Sequence, residues 1–263
     1  MYKIGFIGCG NMGRAIIKGI VSSGICAPNN IIVSARTQTT LDIAHEQFGI
    51  DVTLDNAQAA QAEIVVLAIK PAIFGEVLPQ IASSLFSDVL LVSIAPGKTL
   101  KWLSQTAGVR KVVRLMPNTP AAVGEGMTSV VFNDACTQED ADKVLTLVNS
   151  FGKSEIISEN LIDAATAIAG CAPAFFYMFI EAMADAAVLE GMPRAQAYRF
   201  AAQTAVGSGK MMLESGLHPG ELKDAVCSPG GTTIEGVRTL EEMGMRGAVM
   251  DALAATVAKA QKL

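Results

Sequence analysis

The sequence predicts an α/β protein in which a doubly wound sheet domain, residues 1–154, is followed by an all-helical domain, residues 155–263. Three observations lead to this prediction. Short β-branched runs alternate with helix-periodic segments in the first part of the chain. A glycine-rich turn follows the first of these runs. Past residue 155 the strand pattern ends, and only helical periodicity remains.

Six apolar runs in the first domain are predicted strands. Several are continuous rather than alternating, which is typical of parallel strands covered on both faces. The predicted strands span residues 3–7, 31–34, 64–69, 89–94, 111–115 and 128–132, and the helices between them span residues 14–22, 40–48, 74–83 and 139–151. Thr39 or Thr40 is the expected N-cap of the second helix, and Gly49 its C-terminal stop.

Six helices are predicted in the second domain. They span residues 161–169, 173–190, 194–214, 218–226, 232–243 and 245–262. Pro173 and Pro193 stand where a proline in the first helical turn is tolerated. Thr232 and Glu235 have the spacing of a capping box, which predicts a helix start at that point.

The composition excludes several classes of protein. Hydrophobic residues make up 51% and charged residues 17% of the 263 positions, which is too apolar for a disordered chain. The formal net charge of −5 argues against binding to nucleic acid. Neither histidine lies at a zinc spacing from any of the five cysteines, so we expect no metal site. Widely spaced cysteines and an apparent first strand at residue 3 indicate a cytoplasmic protein without a secretory signal.

One uncharged stretch, residues 164–180, is just long enough to cross a bilayer. Gly170, Pro173 and several alanines lower its hydrophobicity, and its flanks are Asp163 and Glu181 rather than cations. The sequence therefore predicts a buried helix here and no membrane association.

A glycine pattern opens the first helix. Gly8 permits the tight turn, Gly10 lets the backbone approach a pyrophosphate, and Gly13 lets the helix pack closely on the strand. The helix N-terminus adds amide donors and the positive end of a dipole. Because the pattern stands between a strand and a helix, it predicts a Rossmann-type dinucleotide site. The predicted contacts here are Ile7, Gly8, Cys9, Gly10, Asn11, Met12 and Gly13.

The end of the second strand indicates which dinucleotide is bound. The segment Ser34-Ala35-Arg36 has no carboxylate that would repel a 2′-phosphate, and the Arg36 guanidinium offers a planar set of donors to bind it. The alternative is a solvated arginine in a loop. We expect Ser34, Ala35 and Arg36 to contact the cofactor, with NADPH preferred over NADH.

Two further segments end strands and begin loops. They are Ala68-Ile69-Lys70-Pro71 and the Ala95-Pro96-Gly97 segment after the next strand. In open α/β sheets, ligands bind at the carboxyl edge of the strands, so Ala68, Ile69, Lys70, Pro71, Ala95 and Gly97 are predicted cofactor contacts. Lys70 is explained equally well as a surface lysine.

The helical domain contains a candidate anion site. Ser228-Pro229-Gly230-Gly231 precedes a predicted helix that begins with Thr232 and Thr233. Backbone amides unshielded by side chains, with hydroxyls beside them, suit a group of carboxylate size. The alternative is a helix-start loop that binds no ligand.

Four motifs together resemble the pyrroline-5-carboxylate reductase family over essentially the whole chain. They are the segments 6–13, 68–71, Met116-Pro117-Asn118-Thr119-Pro120 and 228–233, of which the last is the most specific. The chain departs from the family pattern at Ala169-Gly170-Cys171-Ala172-Pro173-Ala174, where the family usually has Ser-Gly-Ser-Gly-Pro-Ala.

The resemblance implies hydride transfer from NADPH, with NADH as a weaker substitute, to the C=N carbon of 1-pyrroline-5-carboxylate, giving L-proline. By position, Ser228, Gly230, Gly231 and Thr232 would hold the substrate carboxylate, and Thr233 would hydrogen-bond the imine nitrogen. Glu159 and Asn118 would lie near the substrate, and Asn56 near the cofactor. For Glu159, a role as an acidic residue at a helix start is equally consistent with its surroundings.

Two rival functions remain open. A β-hydroxyacid dehydrogenase would place a catalytic lysine on the helix after the nucleotide domain, but residues 161–190 contain no lysine. A protein that binds NADPH without catalysis would have no reason to keep the anion loop at 228–233. The many apolar faces of the helical domain, which is poor in aromatic residues, predict a homo-oligomer that is at least a dimer.

Overall fold

The computed structural model describes residues 2–261, so position 262, the predicted end of the last helix, lies outside the described residues. The chain divides into two compact units. Among the described residues, the first comprises residues 2–170 together with residues 259–261, and the second is Cys171–Ala258. The predicted boundary at residues 154 and 155 separates functional domains rather than compact units, and it stays a prediction.

The first unit is built on one eight-stranded sheet with the order β3-β2-β1-β4-β5-β6-β7-β8. The strands are β1 (Tyr2–Ile7), β2 (Ile31–Ser34), β3 (Asp51–Thr53), β4 (Ala62–Leu67), β5 (Leu90–Ser93), β6 (Lys111–Met116), β7 (Gly126–Phe132) and β8 (Gly152–Ile156). All neighbours pair in parallel except β6 and β7. The predicted doubly wound fold is confirmed, and β3 and β8 are strands that the sequence pattern did not reveal.

Helices lie between the strands of this unit and after the last of them. They are α1 (Asn11–Ser22), α2 (Gln38–Phe48), α3 (Asn56–Ala59), α4 (Phe74–Ile81), α5 (Leu100–Ala107), α6 (Gln138–Val148) and α7 (Ile162–Ala165). The predicted N-cap of α2 is wrong, because Thr37 rather than Thr39 or Thr40 occupies that position. Gly49 does end α2, with a left-handed φ of 66°.

Two apolar clusters cover the faces of the sheet. Ile64 and Val66 of β4 belong to one cluster, whereas Val65 and Leu67 belong to the other. Successive side chains of a strand point to opposite faces, so a continuous apolar run contributes to both layers. This explains why the central strands contain few polar residues.

The second unit contains helices only. They are α8 (Ala172–Leu189), α9 (Arg194–Ser215), α10 (Pro219–Ala225), α11 (Thr232–Glu242) and α12 (Met245–Ala260). A π-helical turn, Thr166–Cys171, precedes α8. Pro173 lies in the first turn of α8 as expected, whereas Pro193 is the N-cap of α9 and lies before its first turn.

The predicted capping box at the start of α11 is wrong. Gly231 is the N-cap and makes no side-chain capping bond, so Thr232 is already the first helical residue. The Glu235 carboxylate does not reach back to the N-cap but pairs with Arg238 at 2.6 Å. The first amides of α11 are therefore left without a side-chain cap.

The apolar segment that includes α8 is not buried within the chain, contrary to the sequence prediction. The helical segment Glu159–Leu189 is long and apolar enough to cross a membrane, and only 17% of its most apolar window is buried. Large side chains such as Phe176, Tyr177 and Met178 are more than half exposed. An exposed apolar helix of this kind needs another surface to cover it.

Candidate functional site

The turn between β1 and α1 is tight, and its glycines are required by their surroundings. Gly8 has a φ of +99°, and a Cβ atom there would lie 2.6 Å from the Ala68 carbonyl oxygen. A Cβ at Gly13 would contact Ala68 Cβ and the Gly8 carbonyl oxygen at 3.4 Å. The Gly8 amide donates to the Ser34 carbonyl at 2.9 Å. The turn is thus packed between β2 and the segment that follows β4.

Gly10 differs from these two glycines because it faces open space. It is the N-cap of α1 and makes no side-chain capping bond, and a Cβ there would meet no atom within 4 Å. The first turn of α1 contains no acidic residue. Uncapped amides at the positive end of a 12-residue helix, without a side chain in front of them, form a cradle that fits a pyrophosphate.

A cleft of about 490 Å³ runs along the carboxyl edge of the sheet beside this cradle. Its volume is in the range of small-molecule and cofactor sites. Nine of the predicted cofactor contacts line it: Gly8, Cys9, Gly10, Ala35, Arg36, Asn56, Ala68, Ile69 and Lys70. Sequence reasoning missed the other lining residues, which are Thr37, Thr40, Leu54, Ile73, Glu76, Val77 and Gln80.

Arg36 lies at the rim of the cleft directly after β2. Its side chain is exposed and makes no hydrogen bond or ion pair within residues 2–261. Nearby, Thr37 caps α2 with its hydroxyl, which lies 2.8 Å from the Thr40 hydroxyl. The guanidinium donors are therefore free to bind an anion in the cleft.

Asn56 is held in place by a buried partner. The Ser34 hydroxyl, which is fully buried, donates to Asn56 Oδ1 at 2.7 Å. With its oxygen engaged in this way, the Asn56 amide has its two N–H donors left over. Ser34 thus does not face the cleft itself but orients the Asn56 side chain that does.

Burial raises the pKa of the Cys9 thiol, and the positive charge of Arg14 opposes this shift. At neutral pH the thiol is therefore uncharged. A neutral group beside the cradle adds no repulsion against bound phosphates.

Eight predicted cofactor contacts do not line the cleft: Ile7, Asn11, Met12, Gly13, Ser34, Pro71, Ala95 and Gly97. Ile7 belongs to the core, and Asn11 lines a separate shallow depression with Arg14 and Lys18. Ala95 and Gly97 lie on the loop between β5 and α5, where Gly97 has a φ of +76°.

Two predicted substrate contacts are engaged by the protein itself. Asn118 is buried, donates from Nδ2 to the Ala169 carbonyl and accepts from the Met127 amide, both at 2.9 Å. The Glu159 carboxylate accepts from Arg114 Nη1 at 2.7 Å and from the Leu100 amide at 2.8 Å. Their roles in substrate binding stay predictions.

The anion loop of the second unit is exposed. The Gly231 amide donates to the Ser228 carbonyl at 3.0 Å, and Gly230 has a φ of +67°, so the loop forms a tight turn. A Cβ at Gly231 would collide with the Ser228 hydroxyl. In residues 2–261 the hydroxyls of Ser228, Thr232 and Thr233 have no hydrogen-bond partner.

Two family models match the chain. The model described as pyrroline-5-carboxylate reductase dimerisation matches residues 159–263. The model described as NADP oxidoreductase, coenzyme F420-dependent, matches residues 3–97. The second of these includes the glycine cradle and all the residues that line the cleft.

Relatives match over nearly the whole length. A pyrroline-5-carboxylate reductase of Escherichia coli (strain K12) is 53% identical, covering 99% of this chain and 98% of the relative. The solved reductase of Coxiella burnetii has a TM-score of 0.94 at 33% identity and covers 99% of this chain and 98% of its own. The Plasmodium falciparum pyrroline carboxylate reductase, solved with NADP bound, has a TM-score of 0.86 at 35% identity, with 99% and 97% covered.

The fold and its carboxyl-edge cleft define a Rossmann-type, NAD(P)-dependent oxidoreductase. The helical unit narrows this class, since residues 159–263 match a dimerisation domain found on such enzymes. The chain belongs to the pyrroline-5-carboxylate reductase family.

Proposed function

We propose that this chain catalyses the NADPH-dependent reduction of 1-pyrroline-5-carboxylate to L-proline, the last step of proline biosynthesis. The observation that carries the proposal is the 53% identity to a reductase of that name across 99% of the chain. Membership of this family argues against both rival functions, the β-hydroxyacid dehydrogenase and the cofactor-binding protein without catalysis.

The cofactor cleft fits NADPH. The open cradle at Gly10 and the uncapped amides of α1 suit the pyrophosphate, and the free guanidinium of Arg36 suits a 2′-phosphate. Asn56, fixed by Ser34, offers amide donors to the ribose side. NADH, which lacks the 2′-phosphate, would be the weaker substitute. When bound, the reduced nicotinamide supplies the hydride.

The anion loop suits the substrate carboxylate. We assign the carboxylate to the loop from Gly230 and Gly231 to Thr232. The Gly231 amide is bonded to the Ser228 carbonyl, so the donors are the uncapped amides at the start of α11, with the hydroxyls of Ser228 and Thr232 beside them. Thr233, the second residue of α11, would hydrogen-bond the ring nitrogen. The proton that this nitrogen gains on reduction can come from solvent, so no strong general acid is required.

The functional domains follow from this assignment. Residues 1–154 would bind the cofactor, and residues 155–263 would bind the substrate and form the dimer. The dimerisation model supports a homo-oligomer, and the exposed apolar side chains of α8 give it a surface to bury. We also propose that the protein acts in the cytoplasm, in keeping with its unpaired, widely spaced cysteines.

The proposed function is tested by following NADPH oxidation in the presence of the cyclic imine. Wild-type protein should oxidise NADPH only when the imine is present, and the product should be L-proline. Failure to turn over the imine while NADPH binds normally would contradict the proposal.

Thr233 provides a sharper test of the substrate assignment. Thr233→Ala should lower kcat more than it raises the KM for the imine, because the hydroxyl acts on the nitrogen whose charge changes during hydride transfer. Thr233→Ser keeps a hydroxyl and is the matched control. If Thr233→Ala only raised KM at unchanged kcat, the roles within the loop would be wrongly assigned.

A further inference from the structure

An ion pair between a buried arginine and a partly exposed glutamate lies beneath the loop between β5 and α5. Arg114 of β6 is only 5% exposed, and its Nη1 donates to Glu159 Oε1 at 2.7 Å. The same carboxylate oxygen accepts from the backbone amide of Leu100, the first residue of α5, at 2.8 Å. One carboxylate therefore neutralises a buried cation and satisfies an unpaired amide at a helix N-terminus.

Polar contacts hold this loop at both ends. At its start, the Ser93 hydroxyl accepts from the Ala95 amide at 3.4 Å, and Ser93 is the cross-strand neighbour of Arg114. At its end, Leu100 is bonded to Glu159, and the Thr99 hydroxyl accepts from the Trp102 amide at 3.1 Å. The loop between these anchors contains Ala95 and Gly97, both predicted cofactor contacts.

Packing alone does not require a cation at this position. The neighbours of Arg114 on the same face of β6, Val112 and Met116, are apolar and belong to the core cluster there. The Arg114 Nε atom is buried without a hydrogen-bond partner. A charge as deeply buried as that of Arg114 is costly to desolvate, and an apolar side chain in its place is often neutral or stabilising. The incompletely satisfied arginine therefore points to a requirement other than stability.

We propose that Arg114 is a positioning residue of the cofactor site. Through Glu159 it fixes the first turn of α5 and thereby the loop at residues 95–99, which contains two of the predicted cofactor contacts, Ala95 and Gly97. Glu159 accordingly acts on the loop through its bond to Leu100. This inference rests on the proposed NADPH-dependent function.

Two substitutions test the role of the pair. Arg114→Met removes the cation but keeps an apolar side chain of similar length. Glu159→Gln keeps an oxygen that can accept from the Leu100 amide but removes the charge that holds Arg114. The matched control is Lys111→Met, because Lys111 lies on the same strand and is paired with Asp88 and Asp140 outside the cofactor cleft.

The first measurement uses cofactor-free protein. We expect hydrogen exchange of the Leu100 amide to be about tenfold faster in Arg114→Met, because its acceptor is no longer held in place. Trp102, the single tryptophan of the chain, lies in the first turn of α5 and stacks on Phe74, so its emission should shift in the same variant. Lys111→Met should leave both signals unchanged.

The second measurement is cofactor affinity and steady-state kinetics. Arg114→Met should weaken binding of NADP⁺ in calorimetry and raise the KM for NADPH, each about tenfold. The KM for the imine should change little, and Glu159→Gln should show a smaller effect in the same direction. If the pair were purely structural, Arg114→Met would lower thermal stability, and the ratio of the KM for NADPH to the KM for the imine would stay as in the wild type.

The outcomes are distinct. Unchanged Leu100 exchange and unchanged NADP⁺ affinity in Arg114→Met would overturn the positioning role. If that variant did not fold, the NADP⁺ affinity of Glu159→Gln would decide, since that substitution is nearly isosteric and removes only the charge that holds Arg114. If wild-type protein failed to reduce the imine, the proposed function would fail, while amide exchange and NADP⁺ binding would still decide the role of Arg114.

Discussion

Replacing Arg36 by alanine should weaken NADPH selectively. The side chain is exposed at the cleft rim and makes no bond within the described residues, so its loss should not affect folding. Its donors are free for charge-assisted bonds to a 2′-phosphate, worth ~1.5–3 kcal/mol. That free energy corresponds to a rise in the KM for NADPH of roughly ten- to a hundredfold.

The assay compares steady-state KM values for NADPH and NADH in the same variant. NADH has no 2′-phosphate, so its KM should change little in Arg36→Ala, and the preference between the two cofactors should narrow or reverse. Arg36→Lys keeps the charge without the planar fork and should be intermediate. The matched control is Arg110→Ala, which removes an exposed arginine directly before β6. Arg110 lies at the amino end of its strand, whereas the cofactor cleft lies at the carboxyl ends of the strands. Equal losses for both cofactors in Arg36→Ala would refute this role.

Further predictions concern the cradle, acid stability and assembly. Gly10→Ala should fold normally yet lose NADP⁺ affinity in calorimetry, whereas Gly8→Ala should lower the free energy of unfolding by ~1–3 kcal/mol because of its φ of +99°. Burial raises the pKa of Asp140, but hydrogen bonds from Thr137 and Lys111 outweigh it and hold the pKa below its usual value. Because its pKa is lowered, Asp140 stabilises the fold above its unfolded pKa of about 4, and this stabilisation is lost as the pH falls through the folded pKa. In urea unfolding, the free energy of unfolding of Asp140→Asn should therefore fall less below about pH 4 than that of the wild type. On dilution, the molar mass measured by light scattering and the enzymatic activity should fall together. A stable, fully active monomer would contradict the proposed dimer.

The sequence predicted those parts of the fold that local patterns encode. Continuous β-branched runs revealed six strands, and helical periodicity revealed all the helices of the second unit. β3 and β8 were missed because β3 has three residues and β8 is largely polar. Both are edge strands that form by hydrogen bonding to a neighbouring strand, and such pairing leaves no strong pattern in the local sequence.

The candidate site divides in a similar way. The glycine turn and Arg36 could be predicted, because a turn that requires positive φ and a strand end without a carboxylate are both visible in the residue types. Glu76, Val77 and Gln80 could not be predicted as cleft residues, because they reach the cleft from α4, which contains none of the motif residues. Capping at the start of α11 was predicted wrongly, since the motif fits but Gly231 takes the N-cap position.

The sequence by itself determined the order of domains, the dinucleotide motif and the family resemblance, because each rests on local periodicity or on short motifs that can be recognised one at a time. Only the tertiary structure showed that Arg114 and Glu159, 45 residues apart, meet beneath one loop. It also showed that α8, apolar enough to suggest burial, leaves large side chains exposed within a single chain. The physical reason is the same in both cases: burial and long-range pairing depend on which surfaces meet, and hydrophobicity along the chain does not specify the partner.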